Sequence, residues 1–136
     1  MIKRIMDGET LIAIVGTLED AKWGNNFATE NELPMQLGIL RMNKGEIQSH
    51  IHKIRNRQFK SISNECHVVI RGKVIIRLYN FEKKLVSTQM LCPNTFCALY
   101  NGGHGFEVIK DDTIMLEVKC SNFTSTSDDK DKFGQE

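Results

Sequence analysis

The residues richest in chemistry are four histidines and a glutamate: His50 and His52 in "QSHIHK", Glu65 and His67 in "NECHVV", and His104 in "NGGHGFE". Side chains alternate faces along a β-strand, so residues two apart share a face. His50 and His52 then point the same way, as do Glu65, His67 and Val69. Neutral imidazole and carboxylate form the donor set of zinc, iron, manganese, nickel and copper sites. The same imidazoles, with a reference pKa near neutrality, can also shuttle protons. A lone H-x-H often marks surface or satisfied core histidines. Here Lys53, Arg55 and Arg57 fall on the opposite face of that strand and keep it in water, so the histidine face is the inward one. The expectation is one pocket wall built from His50, His52, Glu65, His67 and His104. All five are candidate metal ligands, and the four histidines are candidate acid/base groups.

Several short strands separated by turn signals must carry these side chains, which predicts an all-β sandwich or barrel of roughly nine strands with almost no helix. "ETLIAIVGTL" reads as an early strand, and "LEDAKWGNNFATENEL" as a polar loop carrying Trp23. "PMQLGILRMN" alternates into a strand, and "IQSHIHKI" resumes as another after a turn at "KGE". "CHVVIRGKVIIRLYNFEKKLVSTQML" reads as a hairpin turning at "RGK" followed by a second turning near "NFEKK". "CPNTFCAL" is a turn and strand in which Asn94 suits a left-handed backbone. "YNGGHGFEVI" brings a glycine-rich bend, and "DDTIMLEVKC" is the last strand after a tight turn at Lys110–Asp112. On this last strand Glu117 shares a face with Met115 and Lys119, which allows either an inward ion pair or an outward solvated face.

The 136 residues suit one structural domain. It divides into an N-terminal strand and loop (1–33) packing on a barrel (34–120), followed by a partly flexible C-terminal strap (121–136). A formal net charge of +1 offers no broad attraction to nucleic acid or anionic membrane. No apolar run approaches the ~20 residues of a membrane span, and the N-terminus lacks the pattern of a signal peptide. A cytoplasmic protein with free thiols at Cys66, Cys92, Cys97 and Cys120 is the expectation, since no C-x-x-C spacing occurs. Lys53, Arg55, Arg57 and Lys60 could hold a diphosphate, although a solvated segment is the commoner use of such a run. Trp23, Phe27 and Tyr100 could stack on a sugar or base, although single aromatics more often pack a core or lid. P-loop, Rossmann, nucleophile-elbow and zinc-finger patterns do not occur.

The run from Gly45 through His50 and His52, then Glu65 through Gly72, resembles the first motif of the cupins, with a twelve-residue insertion between His52 and Glu65. "GGHGFEVIKDDTIMLEVK" is similar to a subgroup of small, single-domain bacterial cupins often associated with surface-polysaccharide and nucleotide-sugar pathways. The resemblance, over about residues 34–133, implies a cupin-type double-stranded β-helix, or jelly-roll barrel, and frequent homodimers. It implies a divalent metal (Fe, Zn, Mn, Ni or Cu) held by His50, His52 and His104, with Glu65 or His67 as a further ligand. The activity it suggests is isomerase- or epimerase-type or other Lewis-acid chemistry on a small sugar or sugar nucleotide. A metal-free histidine acid/base isomerase and a non-catalytic metal- or metabolite-binding module stand beside it.

Overall fold

Two stretches of the chain are apolar without alternation, and they dictate the layering. Thr10–Thr17 (β2) buries Leu11, Ile12, Ala13, Ile14 and Val15 in succession, and Thr95–Leu99 (β8) buries Phe96, Cys97, Ala98 and Leu99. A strand apolar on both faces needs cover on both faces. In a computed structural model, which describes residues 2–41, 43–45, 49–50, 53, 64–120 and 133, these two strands lie side by side at the centre of a five-stranded antiparallel sheet. That sheet is completed by Lys3–Asp7 (β1), Glu65–Arg71 (β5) and Ile114–Lys119 (β10), in the order β1-β2-β8-β5-β10.

One face is covered by a three-stranded antiparallel sheet. It runs in the order β7-β6-β9, with Val74–Tyr79 (β6) between Leu85–Leu91 (β7) and Gly103–Val108 (β9). Val74, Ile76, Leu78 and Leu91 from this layer pack on Ala13, Val15, Val69, Cys97 and Leu99. The other face is covered by the segment around a two-stranded ribbon, Gly24–Phe27 (β3) with Gly38–Arg41 (β4). There Leu33, Met35, Leu37 and Ile39 pack on Leu11, Ile14, Cys66, Phe96, Ala98 and Tyr100. The Tyr100 hydroxyl donates to the Met35 carbonyl at 2.7 Å, which ties this cover down. Burial pushes its phenol up to about 12.

The architecture is therefore all-β and antiparallel throughout, compatible with a jelly roll. Among the described residues the two larger sheets are joined by packing, not by a ladder of hydrogen bonds.

The structure departs from the sequence expectation at several elements. The turn at "RGK" does not close a hairpin. Both edges of β5 are already taken, by β8 and β10, so the chain cannot fold back beside it and crosses to the opposite layer instead. Gly72 makes that corner at φ +91°, with a Cβ position 2.1 Å from Thr113 Oγ1, so only glycine fits. The turn near "NFEKK" does close a hairpin, between β6 and β7, with the Asn80 side chain accepting from the amides of Glu82 and Lys84. Asn94 takes the left-handed conformation at φ 66°.

The strand β1 and the short β3 were not anticipated, because charge in "KRIMD" and asparagines in "GNNF" mask their alternation. From the stretch before residue 34, β1 and β2 join the five-stranded sheet, with β2 between β1 and β8. All four cysteines are free, but Cys120 is exposed and Cys92 only partly buried, because each sits at or beyond a strand end. No helix among the described residues is long and apolar enough to cross a membrane.

Candidate functional site

The strand β5 supplies the first two groups. In its antiparallel ladders Glu65 lies opposite Leu99 and His67 opposite Cys97, so both share the face that packs on the three-stranded sheet. The same register on its other edge sets Glu117 opposite His67 and Lys119 opposite Glu65. Both β10 side chains therefore point inward, with Met115. From the facing layer, β9 lies against β6 with His104 opposite Leu78 and Phe106 opposite Ile76, and those two β6 residues are core. Two strands from two sheets, β5 and β9, thus bring Glu65, His67 and His104 together. One ligand atom from each lies within 4.8 Å of the others.

The geometry centres on one carboxylate oxygen. Glu65 Oε2 is 3.6 Å from His67 Nε2 and 3.4 Å from His104 Nε2, while Glu65 Oε1 accepts from Lys119 Nζ at 3.0 Å. Exposure grades from interior to rim: Glu65 and His67 are buried, the Lys119 side chain is 16% exposed, His104 26% and Glu117 48%. A carboxylate this deep stays ionised only if it is partnered. The hydrogen bond to His104 does most to hold the Glu65 carboxyl down, to about 2; burial pulls the other way, and Lys119 adds to the lowering. Burial pushes the His67 imidazole below its ordinary value, helped by His104 and opposed by Glu65 and Glu117. A depressed His67 is neutral at pH 7, the form that ligates metals or accepts a proton.

His67 Nε2 also meets Glu117 Oε1 at 3.2 Å. Its buried Nδ1 has no hydrogen-bond partner among the described residues, which favours the tautomer that donates from Nε2 to the carboxylates. Phe106 closes the apolar side, its ring centroid 4.8 Å from that of His67 and 5.6 Å from that of His104.

Of the H-x-H pair in the sequence, His50 is not part of this cluster. His50 is exposed and lies outside any strand, so the inward H-x-H face is not realised at that position. Two-residue spacing fixes a shared face only where the backbone is in a ladder, and none runs through residues 49–50. His52 lies outside the described residues, as do Arg55, Arg57 and Lys60, while Lys53 is exposed.

The aromatics weighed as stacking groups or as core and lid packing lie away from this cluster. Tyr100 is in the core on the opposite face of the five-stranded sheet, Trp23 stacks under Arg41, and Phe27 is exposed on the ribbon. Glu107 pairs with Arg77 on the outer face of β9. Phe106 is the site residue that sequence reasoning left out, and Glu117 and Lys119 were read only as an inward ion pair or a solvated face. The two-residue spacing from Glu117 to Lys119 and from His104 to Phe106 was the available signal. No known protein family, curated protein or solved structure matches the chain.

Proposed function

We propose that Glu65, His67 and His104 hold one divalent transition-metal ion and that the protein uses it on a small molecule entering at the rim marked by Glu117. The observation that carries this reading is the convergence of Glu65 Oε2 with two imidazole Nε2 atoms at 3.6 and 3.4 Å. Bonds of about 2.0–2.1 Å to a tetrahedral ion place its ligand atoms roughly 3.3–3.4 Å apart. A neutral imidazole and a carboxylate held ionised suit such an ion, with the His67 proton moved from Nε2 to Nδ1 so that Nε2 is free to ligate.

A bound ion supplies Lewis acidity, polarising a carbonyl or hydroxyl oxygen. The chain's own groups do the rest. Glu117, half exposed beside His67, can take or return a proton at the rim. Phe106 keeps water off the inner side of both imidazoles. A sugar or sugar nucleotide as the substrate, and isomerase- or epimerase-type chemistry, belong to the same proposal and are supported by the cupin resemblance of the sequence.

A second reading is favoured by the orphaned Nδ1 of His67. An imidazole that carries its proton on Nε2, between two carboxylates, is set up for metal-free acid/base work.

Elemental analysis of protein purified without chelator separates the two. About one equivalent of a transition metal, lost in Glu65→Gln or His67→Ala, supports the first. A folded protein that neither retains nor takes up Zn2+ or Co2+ refutes it and leaves the acid/base reading. Thermal-shift screening against sugar nucleotides tests the substrate class, since a ligand of the native state raises apparent stability.

A further inference from the structure

The two oxygens of Glu65 are not equivalent. Oε2 faces both imidazoles, whereas Oε1 is occupied by the Lys119 ammonium at 3.0 Å. This division is built into the strand register, since Lys119 sits directly across the β10–β5 ladder from Glu65 and on the same face. With its side chain only 16% exposed, Lys119 has little freedom to swing the charge into solvent. A carboxylate with both oxygens free can bind an ion through one or through both, and flexible oxygen-rich sites use the second mode to raise coordination number.

We propose that Lys119 is a positioning residue that keeps Glu65 a one-oxygen ligand and so limits the site to three protein donors with one open position. The inference rests on the metal reading of the previous section and extends it to the class of ion. A site so limited favours ions at ease with four-coordination, Zn2+ or Co2+, over Mn2+ or Mg2+, which favour six oxygen-rich donors.

Cobalt substitution tests this directly, because four-coordinate Co2+ absorbs visible light far more strongly than five- or six-coordinate Co2+. Wild type, Lys119→Met and Lys119→Arg are titrated with Co2+ and followed by absorption. Wild type is expected to show the intense four-coordinate bands. Lys119→Met should bind Co2+ at least as tightly, because a nearby positive charge is gone. Its bands should nonetheless be several-fold weaker, because Glu65 is released to bind through both oxygens. Lys119→Arg, which still occupies Oε1, should match wild type. A merely structural lysine would lower affinity without changing the band intensity of the protein that binds.

Full band intensity in Lys119→Met overturns the inference while leaving the metal reading intact. Weak, five- or six-coordinate bands in wild type overturn it as well, and that measurement does not depend on any variant folding. A folded wild type that binds no Co2+ removes the metal reading and this inference with it.

Discussion

Replacing Gly102 by alanine should disturb both the fold and the site, through a contact that can be stated atom by atom. Gly102 has φ +77°, and a Cβ built there lies 2.0 Å from the Tyr79 carbonyl oxygen and 3.1 Å from its carbon. The left-handed conformation costs an alanine about 1–2 kcal/mol. The obstructing atoms are backbone, at the end of β6 where Tyr79 pairs with Gly103, so relief requires prising the β6–β9 ladder apart at its first rung. Overpacking of that kind adds about 1–3 kcal/mol. The sum, about 2–5 kcal/mol, is a large share of the roughly 5–15 kcal/mol that holds a domain folded.

Gly105→Ala is the control. It lies on the other side of His104, has no positive φ, and has nothing within 4 Å of its Cβ position. Its stability should stay within about 0.5 kcal/mol of wild type. Urea unfolding of the three proteins measures the stabilities, and metal uptake measures the displacement of His104 in the next rung. The reasoning fails if Gly102→Ala lies within about 0.5 kcal/mol of wild type, or if Gly105→Ala is equally damaged.

Two further outcomes are expected. His104→Ala should lose bound metal whereas His50→Ala keeps it, because His50 is exposed and outside the cluster; elemental analysis of both variants decides. The fold should also weaken in alkali. Burial raises the Cys66 thiol from 9.0 to about 11 and the Tyr100 phenol from 10.0 to about 12, so between those values the unfolded chain has released protons that the folded chain retains. Stability then falls as pH rises from about 9 to 12, by roughly 2–3 kcal/mol for each group at most, and pH-dependent urea midpoints read the slope.

Alternation was a good guide to faces and a poor one to partners. It put Glu65 and His67 on one side of a strand correctly, because β5 is a regular ladder member from Glu65 onward. The bend of "NGGHGFE" was legible too, since glycines beside a histidine permit backbone angles closed to other residues, as Gly102 shows at φ +77°. What alternation cannot encode is which layer a strand joins. The sequence "IRGKV" is compatible with a hairpin or a corner, and the choice is made by β8 and β10 occupying the edges of β5, which are decisions of distant residues. The inward turn of Glu117 and Lys119 has the same origin. Their spacing left two faces open, and only the pairing with β5 selects one. His50 shows the reverse, a chemically suggestive residue that is exposed and outside the cluster, while His52 lies outside the described residues.

The Glu65–His67 half of the cluster belongs to one sheet and His104 to the other, and among the described residues no strand ladder joins those two layers. An ion gripped from both sides would act as a rivet through the sandwich. Loading would then resist sliding of one layer over the other as well as adding binding energy to the native state. Slowed amide exchange in β9 and β5 together, with little change in the outlying ribbon, is the pattern such a fastening would leave.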